Sequence, residues 1–277
     1  MSANYALNAD DGRPLAELVN EFIVAKARTG RSDRYLRALR NSLGKFAHGR
    51  ARRPVASLTV REVESWIDRP EWAARTQAGY LADVRVFLNY CLRRGYVARN
   101  VAACVEAPVC VDLRPPGIHT PAEVAAVLAT ARRADLDVLR QLAIRYFGGL
   151  RSSETMRLRE ENLRISEGLI EVPAAKSKTR RRRLVTIQPA LAAWLAEGGV
   201  LRGMREARIR DVAKRSGVRW SQNVTRHSFV SYHLAGFRNA GETAMEAGHS
   251  EAMLYQHYRA LVTPAAAAEF WALRPTS

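Results

Sequence analysis

Apolar residues recur with helical spacing along residues 14–100. Two segments carry an apolar residue every three or four positions: Leu36, Leu39, Leu43 and Phe46 in the first, Leu81, Val84, Leu88 and Cys91 in the second. The second segment stops at Gly95, a residue suited to the left-handed turn that ends many helices. Thr59 and Glu62 have the spacing of a capping box ahead of another helix. The pattern predicts a compact bundle of about four helices with basic outer faces.

The helical pattern breaks at residues 107–118, a segment with three prolines and a glycine: Pro108, Pro115, Pro116 and Gly117. Such a composition is typical of a connection rather than of a helix or strand. We therefore predict a linker at 107–118 between a helical domain at 1–106 and a second domain at 119–277.

The second domain begins with helical signals. Thr120 is suited to the N-cap, Pro121 to the first helical position and Glu123 to the return contact of a capping box. A further helix is predicted around residues 135–147, and Gly148-Gly149 should end it.

The strongest β signal lies at residues 162–187. Apolar residues alternate or cluster in Leu169–Val172 and Leu184–Ile187, and a short strand near Leu163–Ile165 would complete a three-stranded sheet. Helices resume at Pro189, and the last one, from Thr263-Pro264 to about Trp271, is expected to be short, apolar and separate. The predicted fold class is mainly α with a small β-sheet.

Composition favours a polyanionic partner. The 277 residues are 47% hydrophobic, which argues against wholesale disorder, and the net charge is +17. The positive excess is spread over the chain, +7 in residues 1–110 and +10 in 111–277, so nucleic acid is the first expected partner.

Other composition features argue against several classes of protein. Three cysteines without a Cys-x-x-Cys pair fit neither a disulfide scaffold nor a zinc site, and the histidines lack His-Glu-x-x-His spacing. No signal peptide and no apolar run of membrane-spanning length is found. We expect a soluble cytoplasmic protein without metal or cofactor.

Five residues suited to phosphodiester chemistry follow one another along the second domain. Arg151, Lys178, Arg226, His249 and Tyr258 are spaced 27, 48, 23 and 9 residues apart. Cleavage by a hydroxyl passes through a five-coordinate phosphorus whose extra negative charge must be stabilised. Arginine suits that role, because its planar fork stays charged and grips two oxygens at once.

The sequence around these residues resembles the tyrosine recombinase (phage integrase) family. The matching motifs are Gly149-Leu150-Arg151-Ser152-Ser153-Glu154, Ser177-Lys178-Thr179, Arg226-His227-Ser228-Phe229, Gly248-His249-Ser250, and a tyrosine nine residues beyond His249. The resemblance implies an N-terminal helical, SAM-like core-binding domain and a C-terminal α+β catalytic domain of tyrosine recombinase type.

The resemblance also implies roles for the phosphate-binding residues. Arg151 and Arg226 would clamp the scissile phosphate, Glu154 would support Arg151, and His249 would donate to a non-bridging oxygen. Each has an ordinary structural interpretation as well, such as a surface pair of Arg151 with Glu154.

Lysine and tyrosine would handle the two reacting oxygens. Lys178 would protonate the 5′ leaving oxygen, with Lys176 as the alternative. Tyr258 would be the nucleophile, and the nine-residue spacing selects it over Tyr255. The basic connection would also contact DNA phosphates, through Lys176, Arg180, Arg181, Arg182 and Arg183.

One position departs from the family pattern. Three residues before Arg226 the family usually has a histidine that shares proton transfer with the tyrosine, and this chain has Asn223. An amide can bind phosphate but is no acid or base near neutral pH. Asn223 is also suited to a helix N-cap. His227 and His257 are the alternative proton acceptors.

The resemblance implies a site-specific recombinase or integrase of mobile-element type that forms a 3′-phosphotyrosyl intermediate on duplex DNA. The protein would be a monomer when free and would assemble into a homotetramer on DNA, in nucleoid-associated cytoplasm. DNA-bending accessory proteins are further candidate partners. Three alternatives stay open: a type IB topoisomerase-like enzyme, a weakened or inactive DNA-binding derivative, and a basic RNA-binding module.

Overall fold

A computed structural model describes residues 12–110, 117–174, 182–204, 206–258 and 262–276, without the side chains of Gln256 and His257. The described residues form two compact units, one before residue 111 and one after residue 116. The domain limits 1–106, 107–118 and 119–277 stay a prediction.

Four α-helices build the first unit: α1 Leu15–Arg28, α2 Asp33–Ala47, α3 Val60–Ile67 and α4 Ala74–Arg93. The predicted capping box of Thr59 and Glu62 is present at the start of α3. Gly95, just after α4, has φ +76°, the left-handed turn expected of it. All eight residues of the two periodic segments are buried. The helical bundle is therefore confirmed.

Nine α-helices lie in the described part of the second unit: α5 Pro121–Ala134, α6 Leu136–Phe147, α7 Ser152–Thr155, α8 Pro189–Leu195, α9 Glu206–Arg215, α10 Val224–Phe237, α11 Ala240–Ala247, α12 Glu251–His257 and α13 Pro264–Ala272. The box of Thr120 and Glu123 caps α5 as predicted. Helix α6 is buried on nearly every side, which makes it the centre of this unit's core.

A three-stranded antiparallel sheet follows α7. Its strands, β1 Leu163–Arg164, β2 Leu169–Val172 and β3 Arg183–Thr186, lie in that order. Ile170 of β2 pairs with Val185 of β3, and both are buried against the helices. Strand β3 begins one residue earlier than predicted, because Arg183 pairs with Val172. The mainly α fold class with a small sheet is confirmed.

The sequence predicted a separate last helix, but α13 packs on its own unit. Phe270 of α13 is buried and stacks on Tyr232 of α10, with ring centroids 4.2 Å apart. The Trp271 Nε1–H donates to the Tyr232 carbonyl at 3.1 Å. An apolar helix buries its surface on the nearest apolar face, and α10 supplies one. Of the described helices, none has the length and apolarity needed to cross a bilayer.

Candidate active site

The turn after α6 brings two candidate phosphate-binding residues together. Gly149 has φ +63°, and a Cβ there would lie 2.2 Å from the Phe229 ring. Glycine therefore allows α10 to approach the turn closely. The Gly149 carbonyl accepts a hydrogen bond from Arg226 Nη1 at 2.6 Å, and Arg151 follows two residues later. Gly148-Gly149, which the sequence predicted as the end of this helix, thus brings Arg151 and Arg226 together.

Glu154 is a buried carboxylate held by two arginines. Arg151 Nη1 donates to it at 2.8 Å, and Arg183 donates through Nη2 at 2.7 Å and Nη1 at 3.2 Å. Burial opposes the ionisation of Glu154, but hydrogen bonds from Arg183 and Arg151 outweigh it and lower its pKa to about 2. Glu154 is therefore anionic near neutral pH and fixes both guanidinium groups.

The C-terminal end of α11 holds three arginines at once. The successive carbonyls of residues 246–248 accept from Arg183 Nε at 2.7 Å, from Arg226 Nη2, and from Arg151 Nη2 at 2.9 Å. The last carbonyls of a helix have no partner within it and carry partial negative charge. Cationic forks satisfy them, so this helix end orients all three guanidinium groups.

The arginine cluster keeps an excess of positive charge. Arg226 is buried and donates to two carbonyls, and among the described residues no carboxylate pairs with it. Burial, with repulsion from Arg151, lowers the pKa of Arg226 to about 9, so it is still cationic near neutral pH. Three guanidinium groups thus share the single charge of Glu154, which favours an anion such as phosphate.

His249 follows α11 and lies beside the arginines. Its Nδ1 is buried without a hydrogen-bond partner among the described residues. Burial, together with Arg226 and Arg151, lowers the pKa of His249 to about 3. The ring is therefore neutral near pH 7 and can donate one N–H to an oxygen without adding charge.

Tyr258, at the end of α12, joins the same cluster. Its side chain is 4% exposed, whereas Tyr255 is 57% exposed, so packing agrees with the choice of Tyr258 made from spacing. Its ring centroid lies 6.0 Å from that of His249, and its hydroxyl lies 2.5 Å from His227 Nδ1. Burial raises the pKa of Tyr258, against the opposing charge of Arg226. The phenol is therefore neutral near pH 7, and its hydroxyl contacts an imidazole nitrogen of His227.

Asn223 precedes α10 but does not cap it with its side chain. It has φ +60°, is exposed, and its side chain accepts no hydrogen bond from the start of the helix. Asn223 therefore occupies the predicted N-cap position, and its carbonyl accepts from the His227 N–H at 2.9 Å, but its left-handed backbone does not allow the side-chain cap. His227, one turn later, is the residue that reaches the tyrosine.

The basic connection between β2 and β3 is described only in part. Lys176, Lys178, Arg180 and Arg181 lie outside the described residues. Arg182 is exposed and pairs with Glu171 at 2.8 Å. Arg183, which we predicted among the DNA-contacting arginines, binds Glu154, and its side chain is 9% exposed. That pairing joins residues 29 positions apart, and no sequence pattern indicated it.

Several known proteins are similar to this chain in sequence. No family model matches the chain. The tyrosine recombinase XerD of Pseudomonas aeruginosa is 30% identical over 200 residues, 69% of this chain and 64% of XerD. XerC of Chromobacterium violaceum is 26% identical over 272 residues, 88% of this chain and 90% of XerC. The chain is thus similar to tyrosine recombinases over most of its length. The resemblance inferred from its motifs is therefore confirmed, although the chain spans less than two thirds of that XerD.

Solved structures show the same fold. A lambda integrase dimer bound to a COC′ core site has a TM-score of 0.75 at 13% identity, covering 90% of this chain and 98% of that chain. The Tn1549 transposon integrase, in complex with a circular intermediate DNA, has a TM-score of 0.70 at 14% identity, covering 94% and 99%. At such identities the likeness shows the fold alone.

Proposed function

We propose that this protein is a recombinase that cleaves and rejoins duplex DNA at specific sites through a 3′-phosphotyrosyl intermediate. The observation that carries the proposal is the convergence of Arg151, Arg226, His249 and Tyr258 in one cluster of positive charge. These residues are spread over more than a hundred positions of the chain. A structural role for any one of them would not require the others to be near.

In the proposed reaction the Tyr258 oxygen attacks the scissile phosphorus and the bond to the 5′ oxygen breaks. Arg151 and Arg226 stabilise the five-coordinate phosphorus, and His249 donates its N–H to a non-bridging oxygen. Loss of one such preorganised donor typically costs about 3–4 kcal/mol of transition-state stabilisation. The 5′ oxygen takes its proton from Lys178. The ester conserves the phosphodiester bond, so rejoining reverses these steps.

We assign the proton of Tyr258 to His227. Its Nδ1 lies 2.5 Å from the phenol oxygen, within the range for direct transfer. Because burial raises the pKa of Tyr258, the nucleophile needs an adjacent base at neutral pH. Asn223, at the position of the family's usual histidine, is exposed and cannot accept a proton near pH 7.

A nicked suicide duplex tests the covalent step. The duplex must carry the target sequence, such as an attachment site of the mobile element that would encode this protein. The unaltered protein is expected to form a covalent adduct with DNA, and Tyr258→Phe to form none. Tyr255→Phe is the matched control, because the second tyrosine lies on the same helix but is exposed. An adduct that persists in Tyr258→Phe would refute the assignment.

The same substrate tests the proton acceptor. His227→Gln is expected to lower the rate of adduct formation at least a hundredfold, since positioned acid–base groups contribute about 10²–10⁴. Asn223→Ala and Asn223→His should change it by less than tenfold. A large gain in Asn223→His from an inactive parent would instead favour a weakened DNA-binding derivative.

We further propose that recombination requires a homotetramer on DNA, assembled from monomers in nucleoid-associated cytoplasm, with DNA-bending proteins as accessory partners. Strand exchange between two duplexes involves four cleavage events, hence four active sites. Relaxation of a supercoiled plasmid without any target site, by protein that stays monomeric, would favour the topoisomerase-like alternative.

A further inference from the structure

A second cluster of chemically competent side chains lies beside the arginines and takes no part in the proposed cleavage. His233 comes from α10, and Glu242 and Glu246 come from one face of α11, four residues apart. One nitrogen or oxygen of each lies within 4.8 Å of the others. His233 is 0% exposed and Glu246 6%, whereas Glu242 reaches solvent. The cluster is thus buried at one end and accessible at the other.

The hydrogen bonds of Thr243 fix the protonation of the histidine. Thr243 Oγ1 donates its single proton to the Asn239 carbonyl at 2.7 Å. His233 Nδ1 lies 2.8 Å from the same oxygen and must therefore be the donor in that contact. A neutral His233 consequently carries its lone pair on Nε2. Metal-binding histidines typically show this arrangement, with the other ring N–H held by a polar partner.

The lone pair of His233 faces a carboxylate oxygen. Glu246 Oε1 accepts from the Thr186 backbone N–H at 3.1 Å and from its hydroxyl, which turns Oε2 toward His233. The Nε2–Oε2 distance is 3.5 Å, and both atoms are buried without a hydrogen-bond partner among the described residues. Two facing lone pairs in an apolar setting need a cation between them, and the rings of Phe229, Phe237 and Trp271 supply that setting.

The separation distinguishes a metal ion from a shared proton. A proton shared between imidazole and carboxylate holds the heavy atoms about 2.7–2.9 Å apart. A zinc ion with bonds of about 2.0–2.2 Å and a near-tetrahedral angle holds its ligand atoms roughly 3.4 Å apart. The distance of 3.5 Å is longer than such a hydrogen bond and close to the separation of two zinc ligands, so it favours a metal ion.

We infer that His233, Glu242 and Glu246 form a binding site for a divalent transition metal ion such as Zn²⁺. Imidazole and carboxylate are ligands that zinc accepts, and water would complete its coordination. This inference departs from the expectation of no metal drawn from the sequence. That expectation relied on spacing within one helix, whereas these ligands come from two.

A metal ion here would connect elements that position the candidate active site. It would bind α10 to α11, whose terminal carbonyls hold Arg151, Arg183 and Arg226, and Glu246 also contacts Thr186 of β3. The ion is thus expected to stabilise the second unit. Its binding does not depend on the proposed cleavage activity.

The inference is tested on the full chain after treatment with a chelator. Titration with Co²⁺ is expected to give the visible absorption of a low-coordinate site, saturating at one equivalent, and Zn²⁺ to displace it and raise Tm. Glu246→Gln should weaken Co²⁺ binding at least a hundredfold. Glu242→Gln should weaken it at least tenfold, and since Glu242 is exposed, this variant is expected to fold normally.

Glu161→Gln is the matched control, because Glu161 is exposed and lies outside the cluster. It should bind Co²⁺ like the unaltered chain. Absence of the absorption, or equal binding by the Glu242, Glu246 and control variants, would overturn the inference. The two side chains would then share a proton instead of binding a metal ion.

Discussion

Glu154 binds two arginines of the candidate site, and its ionisation should contribute to the free energy of unfolding. Its folded-state pKa of about 2 lies below the value of about 4.3 of an unfolded chain. The ionised carboxylate therefore stabilises the fold above the unfolded pKa, and this contribution is lost as pH falls toward 2. The linkage corresponds to about 3 kcal/mol at neutral pH.

The prediction is that Glu154→Gln lowers the free energy of unfolding by about 3 kcal/mol at pH 7 and by progressively less below pH 4.5. Urea denaturation at a series of pH values measures the difference. Exposed Glu161→Gln serves as the control and should stay within about 0.5 kcal/mol throughout. A deficit that is equal at pH 7 and pH 3 would contradict the linkage.

At the residue scale, sequence identified isolated residues better than their partners. Spacing alone selected Tyr258 over Tyr255, and the buried position of Tyr258 agrees with that choice. The role of Arg183 as a second partner of Glu154 was not predicted. Such pairs depend on which elements pack together, and a local pattern carries no information about that. His227 was one of two candidate proton acceptors, and its contact with Tyr258 supports its assignment.

At the element scale, the turn after α6 must stay narrow for the arginines to converge. Gly149→Ala is expected to lower the free energy of unfolding by about 3 kcal/mol or more, because strain at positive φ adds to overlap with Phe229. Gly168→Ala is the matched control. Its φ is +68° with nothing within 4 Å of the added Cβ, so only about 1 kcal/mol should be lost. Equal losses in urea denaturation would show that close packing at Gly149 is unimportant.

Helix α13 is part of the core, so its apolar anchor should matter for folding. Phe270→Ala is expected to cost about 3–5 kcal/mol, since a buried aromatic ring stacked on Tyr232 is lost and a cavity remains. Neighbouring Glu269→Ala, on the exposed face of the same helix, should cost less than about 0.5 kcal/mol. Similar thermal unfolding of the two variants would mean that α13 is dispensable for the fold.

Element boundaries followed the sequence where local chemistry sets them. The capping boxes at Thr59 and Thr120 begin helices as predicted, because a cap satisfies backbone groups within one turn. The start of β3 and the packing of α13 differed from expectation. The start of β3 depends on pairing with Val172 of β2, and the packing of α13 depends on contact with α10.

At the scale of the whole molecule, each unit has a hydrophobic core of its own. One core draws on residues 15–105, and the other on residues 124–273. We predict that fragments 1–112 and 113–277 each unfold cooperatively when expressed alone, because the described residues of each core come from one unit. Circular dichroism melts measure this. A fragment without a sigmoidal transition would show that its core is insufficient.

The spread of positive charge over both units gives the final prediction. Residues 1–110 carry +7 and residues 111–277 carry +10, so each unit can neutralise DNA phosphates. The logarithm of affinity falls with the logarithm of salt concentration by about 0.9 per neutralised phosphate. Fluorescence anisotropy with a random duplex should therefore give the full chain a steeper salt slope than either fragment. A single fragment that reproduces the full slope, with the other showing none, would place the phosphate contacts in one unit.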